Sequence, residues 1–358
     1  MELLAERHRV VGEVAAVKQQ TKVPIRDEGR EADLLEDRRA VAERSGLNPD
    51  VTESLFRLVL WASRNRQAQL HAAVPQDLTP KTVAVIGAAG GMGEMVSRLM
   101  RDLHNEVLAV DRDTTLTIEQ AAGMADVVLV SVDIRETDEV IRRAGPHLRE
   151  QALFTDVTST KRHPVAAMLE SSVASVIGTH PLFGPVVHSL QGQRIAITPA
   201  RLNDGTDWLT WLTSTLGAAG LTLLETTPED HDRVMAVVQV LTHFSTEVVG
   251  RTMEHLNVSI EETLLFTSPI YHLELLMTAR HFAQSPNLYS AIQMSNPNTQ
   301  EVAAAFCEAA AEFDSLVQAG DAAAFRTVFR EVSDYFGDFA EQALAESSHL
   351  IDRLVERS

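Results

Sequence analysis

The sequence predicts a multidomain protein: an all-α front, an α/β middle built on a parallel sheet, and an all-α rear. Three observations carry this. Through residue 73, apolar positions recur at spacings of three and four, the stripe of a helix that packs on one side. From Thr82 the pattern changes to short β-branched runs separated by helical stretches, as strands covered on both faces require. From about Glu229 the helical spacing returns. With 358 residues, two or three domains are expected. The boundaries fall at 1–73, a linker at 74–81, 82–228 and 229–358.

In chain order, Leu3, Leu4, Val10, Val11, Val14 and Val17 mark a first helix, which the segment Lys22-Val-Pro-Ile-Arg breaks at Pro24. Residues 31–44 form a second helix. Asn48-Pro-Asp makes a turn, and residues 51–73, with Leu55, Phe56, Leu58, Val59 and Trp61, form a third. Two prolines mark the linker. Strands are predicted at 82–86, 106–110, 126–132 and 152–156, and further short strands near 175–178 and 194–198 extend the sheet. Breaks at Pro269, Pro286 and Pro297 divide the rear into long amphipathic segments, four of them in the last third.

Composition excludes several classes of function. There are 50 acidic against 31 basic residues, a net charge of −19, which disfavours nucleic acid as a partner because binding it needs a basic face. The single cysteine, Cys307, rules out an internal disulfide or a zinc–thiolate cluster and suits the cytoplasm. No metal site is expected. No apolar run approaches the ~18 residues of a membrane span, and the start is charged from Glu2, unlike a signal peptide.

Residues 83–93 read Val-Ala-Val-Ile-Gly-Ala-Ala-Gly-Gly-Met-Gly, a strand entering a glycine turn and then a helix. Gly90 and Gly93 occupy the last two glycine positions of a dinucleotide fingerprint; Ala88 stands at the first, and Gly87 precedes it. Glycine serves here because a side chain would hold the backbone away from a pyrophosphate seated on the helix N-terminus. The second strand ends at Asp111, eighteen residues after Gly93, where a carboxylate accepts from the adenosine ribose hydroxyls and repels a 2′-phosphate. Arg112, next in sequence, weakens that preference. These features predict a Rossmann-like NAD-binding domain, with Gly87, Gly90, Gly91, Met92, Gly93, Asp111 and Ser131 as cofactor-binding residues.

Two later segments, Asp156-Val-Thr-Ser-Thr-Lys161 and Gly178-Thr-His-Pro-Leu-Phe-Gly-Pro185, each follow a strand. Ligands of an open parallel sheet bind beyond the carboxyl ends of the strands, so both segments lie on the cofactor side. His180, between Thr179 and Pro181, is expected on a stiff loop as a general base, since an imidazole pKa near 6.5 suits removal of a hydroxyl proton while hydride leaves the same carbon. Ser159 is expected to hold its ring.

The runs Thr179-His-Pro-Leu-Phe-Gly-Pro, Asp156-Val-Thr-Ser-Thr-Lys and Ser268-Pro-Ile-Tyr-His-Leu-Glu resemble prephenate dehydrogenase. Nearly the whole chain, in the same domain order, resembles the bifunctional chorismate mutase/prephenate dehydrogenases of bacterial tyrosine biosynthesis. The resemblance implies NAD-dependent oxidative decarboxylation of prephenate to 4-hydroxyphenylpyruvate, with His180 as the catalytic histidine. Arg280 matches the residue that grips a substrate carboxylate, and Lys161 and His243 match other substrate-pocket positions. His272 departs from the arginine of close relatives. The rear domain is expected to form a homodimer, and feedback by tyrosine is implied by resemblance alone.

The front helices resemble an AroQ-type chorismate mutase. Arg7 and Lys18 lie eleven residues apart, on one face at about 16 Å; Asp27, Arg30 and Glu31 open the second helix, and Ser63 and Gln67 sit one turn apart on the third. All fall on positions of that active site. The resemblance implies that Lys18 and Gln67 donate to the breaking ether oxygen, that Arg7 and Arg30 hold carboxylates, and that Glu31 meets the substrate hydroxyl; the reaction needs no cofactor, only a held conformer and charge stabilisation. Family members begin earlier, with a half-helix carrying one more arginine, so the first helix is expected to be truncated. Two alternatives stand beside this reading: a dehydrogenase with a degenerate mutase module, and a non-catalytic regulator sensing NAD and tyrosine.

Overall fold

The computed structural model describes residues 2–21, 27–71, 79–187 and 189–355. The expected break at Pro24 and most of the expected linker (residues 74–78) lie outside them. The chain divides into two compact units, Met1–Glu229 and Asp230–Ser358.

The first unit opens with three helices, α1 (Glu2–Thr21), α2 (Glu28–Arg44) and α3 (Pro49–His71). Asp27 caps α2 by accepting the Arg30 amide at 3.0 Å, which removes one of the unpaired donors every helix start carries. Asn48 does the same for α3 through the amides of Asp50 and Val51.

Seven strands follow: β1 (Thr82–Ile86), β2 (Glu106–Val110), β3 (Val127–Val130), β4 (Leu153–Asp156), β5 (Ser175–Pro181), β6 (Arg194–Arg201) and β7 (Thr222–Glu225). Their order is β2-β1-β3-β4-β5-β6-β7. Helices α4 (Gly91–Asp102), α5 (Ile118–Met124), α6 (Thr137–Ala144), α7 (Arg162–Ser171) and α8 (Trp208–Ala218) complete the unit. One core sets Ala84, Val128, Phe154 and Val176 against α5, α6 and α7. The other sets Val83, Leu129, Ile177 and Ile197 against α4 and α8, with Trp208 and Trp211. Burial on both faces is why these strands read as unbroken apolar runs.

The sheet departs from expectation in two places. β6 runs antiparallel to β5, because the described residues of the segment joining them hold no helix to carry a parallel crossover. β7 pairs parallel with β6 and escaped the sequence reading: four residues on a largely exposed edge carry too little apolar signal.

From Pro228 the chain is helical. α9 (Pro228–Met235) passes into a π-helical segment, Ala236–Leu241, and then α10 (Thr242–Leu256); α11 (Ile260–Leu265), α12 (Pro269–Phe282), α13 (Pro286–Ser295), α14 (Thr299–Ala319), α15 (Ala322–Phe336) and α16 (Phe339–Val355) follow. Pro269 and Pro286 each occupy a first helical turn, where the missing N–H costs nothing. No helix among the described residues is long and apolar enough to cross a membrane.

Candidate active sites

The strand order places β1 between β2 and β3, so a crevice opens at their carboxyl ends where the chain reverses direction. Gly87 has φ +89°, and a Cβ there would stand 2.2 Å from the Ser131 carbonyl oxygen. A Cβ on Gly93 would lie 2.0 Å from the Gly87 carbonyl oxygen. Both turns are therefore closed to any larger residue, and the backbone forms the cradle a pyrophosphate needs. Gly90 caps α4 without a side chain, and Gly91 faces Pro185. A cavity of about 530 Å³, lined in part by Gly87, Gly90, Asp111, Leu116, Ser131 and Ile118, continues from the turn.

Asp111 lines that cavity and is fixed by the turn itself: its carboxylate accepts the amides of Ala89 and Arg112, each at 2.8 Å. Arg112, expected to weaken the acid's preference, is itself engaged by a carboxylate. Its guanidinium bonds both carboxylate oxygens of Glu136, at 2.8 and 3.1 Å.

His180 lies on this same carboxyl-terminal rim, but on a strand and not a loop. It pairs with Ala196 across β5–β6 and is 3% exposed. The turn formers Gly184 and Pro185 bend the chain only after β5 has ended at Pro181. Three strand spacings separate β1 from β5, about 14 Å across the sheet. Strand alternation puts His180 on the face of Gly178, where a Cβ would meet Val165 and Lys161 of the α7 end. Ser159 sits half-buried in the β4–α7 turn.

Lys161 is a correction. Its ammonium is completely buried, bonded to Asp156 Oδ2 and, at 2.6 Å, to the Thr179 carbonyl; the Thr179 hydroxyl returns a bond to the Asp156 carbonyl. A lysine so held ties β4 to the residue before His180 and is not presented to a substrate pocket.

In the second unit, His243 projects from the first turn of α10. Its ring meets Tyr289 edge-on at 4.7 Å and lies 5.5 Å from His281, which stacks on Tyr289 at 3.9 Å. Glu247 binds His281 Nε2 at 3.1 Å and the Gln293 amide at 2.6 Å. His243 Nδ1 is buried without a partner. Burial, and then the neighbouring His281, hold this imidazole below its ordinary pKa, with Glu247 opposing. Burial pushes the Tyr289 phenol up, opposed by the Arg280 charge and aided by Glu247. Arg280 is thus within electrostatic reach of the cluster, although it is exposed.

In the front helices, Arg7 donates to the Ser63 hydroxyl at 3.1 Å, and Ser63 donates to the Val59 carbonyl. Gln67 is 8% exposed with its Oε1 buried and unpartnered. Glu31 is gripped by both oxygens through Arg64, at 2.6 and 2.7 Å. Asp27 is occupied as a cap and Arg30 is exposed. The Lys18 side chain lies outside what the structure describes. Arg64, Glu247, His281, Tyr289 and Gln293 were missed by the sequence reading. Faint signals existed: Arg64 adjoins Ser63, and Glu247 lies one turn beyond His243.

Three families match in series: chorismate mutase type II over residues 1–68, the nucleotide-binding domain of prephenate dehydrogenase over 94–223, and its dimerization domain over 227–331. The T-protein of Haemophilus influenzae is 32% identical across 99% of this chain and 93% of its own length. That of Enterobacter agglomerans is 33% identical across 98% and 93%. The chain belongs to the T-protein family. It joins a chorismate mutase to a prephenate dehydrogenase, two activities of tyrosine biosynthesis. A solved prephenate dehydrogenase from A. aeolicus, in complex with hydroxyphenyl propionate and NAD+, shares the fold at TM-score 0.58 and 21% identity, covering 73% of this chain and 98% of that one. Along the chain the order is mutase first and dehydrogenase second.

Proposed function

We propose that His180 is the base of an NAD-dependent oxidative decarboxylation of prephenate, and that the front helices supply the prephenate from chorismate. The observation that carries the first part is the place of His180: the same sheet rim as the glycine turn, on a paired strand that fixes its backbone. The crevice fits a dinucleotide, since its two closed glycines leave bare backbone that would take phosphates and Asp111, lining the same cavity, would accept from ribose hydroxyls. Gly87, Gly90, Gly91, Met92, Gly93, Asp111 and Ser131 would hold NAD, which when bound supplies the hydride acceptor.

The remaining chemistry belongs to the chain. His180 takes the proton of the ring C4 hydroxyl as the carbon–hydrogen bond breaks and a carbonyl forms. The ring carboxylate then leaves as carbon dioxide; its bond pair completes the aromatic ring as the C4 carbonyl becomes the phenolic oxygen, which takes a proton back. Ser159 orients the imidazole. Lys161 is a positioning residue that locks Thr179, and so the start of His180, against β4. Arg280 pairs with a substrate carboxylate, for which a guanidinium fork is suited, and His243 offers its unpartnered Nδ1 to the same substrate.

In the mutase helices, Arg7 and Arg30 hold carboxylates and Lys18 and Gln67 stabilise charge on the ether oxygen. Ser63 orients Arg7, and Glu31, steadied by Arg64, meets the hydroxyl. Two copies associate through the rear helices. α14 and α15 bury no residue within one chain although each is amphipathic, and Phe329, Tyr335, Phe336 and Phe339 stand exposed. A second copy covers such a surface. The working compartment is the cytoplasm, consistent with one exposed, unpaired cysteine.

His180→Asn tests the central assignment. NADH formation from prephenate should fall about 10²–10⁴-fold in kcat with little change in KM, while chorismate consumption persists. Near-normal dehydrogenase turnover would remove His180 from the chemistry.

A further inference from the structure

Around the crevice, cations and acids are arranged in pairs. Arg112, Glu136, Asp133 and Arg143 all line the cavity beside Asp111. Arg112 is chelated by Glu136. Arg135, from the same turn as Glu136, donates twice to Asp133, at 3.0 and 2.9 Å. Arg143 bonds Glu119 at 3.0 Å, whose carboxyl its own backbone amide and Arg143 hold down to about 2. Each rim guanidinium is therefore engaged by a carboxylate. A 2′-phosphate brings roughly −1.5 to −2 charges, and a site that accepts one needs an uncommitted cation.

Arg112 is the cation best placed for that purpose, since it follows Asp111 directly and its amide bonds the Asp111 carboxylate. Its side chain is turned across the crevice mouth to the β3–α6 turn, where Glu136 precedes the first residue of α6. We propose that Glu136 is a cofactor-specificity residue: by holding Arg112, it completes the rejection of 2′-phosphorylated dinucleotides that Asp111 begins. This rests on the dinucleotide reading of the crevice. The pair is solvent-exposed, 81% at Arg112 and 49% at Glu136, so it contributes little to stability. Its effect is on which ligand the guanidinium meets. An Arg112 without its chelator would be released to pair with a 2′-phosphate.

The test uses the full chain and binding alone. NADH and NADPH are titrated by nucleotide fluorescence, and 2′,5′-ADP and 5′-AMP by competition, against wild type, Glu136→Gln and the double variant Glu136→Gln/Arg112→Ala. Wild type should prefer NADH. Glu136→Gln should raise the NADPH-to-NADH affinity ratio about tenfold, the effect of one charge-assisted hydrogen bond, with 2′,5′-ADP gaining likewise over 5′-AMP. The double variant should lose that gain. NADH binding with an unmoved ratio in Glu136→Gln overturns the proposal, as does a gain that survives loss of Arg112. Failure of the wild type to bind either dinucleotide overturns the crevice reading and this proposal together.

Discussion

Replacing Lys161 by methionine separates a buried tie from a substrate contact. Both side chains of the Lys161–Asp156 pair are wholly covered. Methionine is unbranched and flexible, so it fills the lysine's channel without a large cavity. What the variant loses is charge compensation. Asp156 Oδ1 already has no partner, and Oδ2 would keep only the Thr158 amide at 3.0 Å. The Thr179 carbonyl would lose its ammonium donor as well. Stranding one member of a buried pair costs about 3–5 kcal/mol, a fifth or more of the roughly 5–15 kcal/mol that holds a domain together. Urea unfolding followed by tryptophan fluorescence reads this unit, because Trp208 and Trp211 are buried in it while Trp61 is half exposed. A second variant, Asp156→Asn/Lys161→Met, should recover much of the loss by removing the stranded charge. A single-variant loss below about 1 kcal/mol, the worth of a solvent-exposed pair, together with a raised KM for prephenate, would refute the reasoning and return Lys161 to the substrate.

Three further outcomes are expected. Gly93→Ala puts a methyl 2.0 Å from the Gly87 carbonyl oxygen; the displaced turn should lower NADH formation about 100-fold while chorismate consumption is unchanged, and unimpaired NADH binding would contradict the cradle. Gln67→Leu removes a buried, unpartnered oxygen, so mutase kcat/KM should fall about 10²–10³-fold with no loss in melting temperature; retained mutase activity would take Gln67 out of the site. The His243 pKa is depressed in the fold by burial and by His281, against Glu247, so the unfolded chain binds more protons in acid. The stability present above the unfolded value of about 6.5 should be lost as pH falls through the lower folded value. Acid unfolding of His243→Asn should be less steep there, and an unchanged profile would argue against a buried neutral ring.

Much of this was legible from neighbouring residues. The glycine spacing from 87 to 93, the unbroken apolar strands and the prolines that open α12 and α13 act within a turn or two. Their consequences are steric, and a short stretch of chain contains everything needed to infer them. Asp111 was placed by the same means, because strand and turn follow each other directly.

What the sequence left open depends on partners distant in the chain. The direction of β6, the strand position of His180, the burial of Lys161 beneath Thr179, the grip of Arg64 on Glu31 and of Glu136 on Arg112 all join residues 14 or more positions apart. Lys161 and its carboxylate Asp156 are only five positions apart, but whether such a lysine meets water, substrate or that buried carboxylate depends on what covers it. It is decided when strands from different parts of the chain come into register, and the cost of leaving a buried charge alone then selects the pairing.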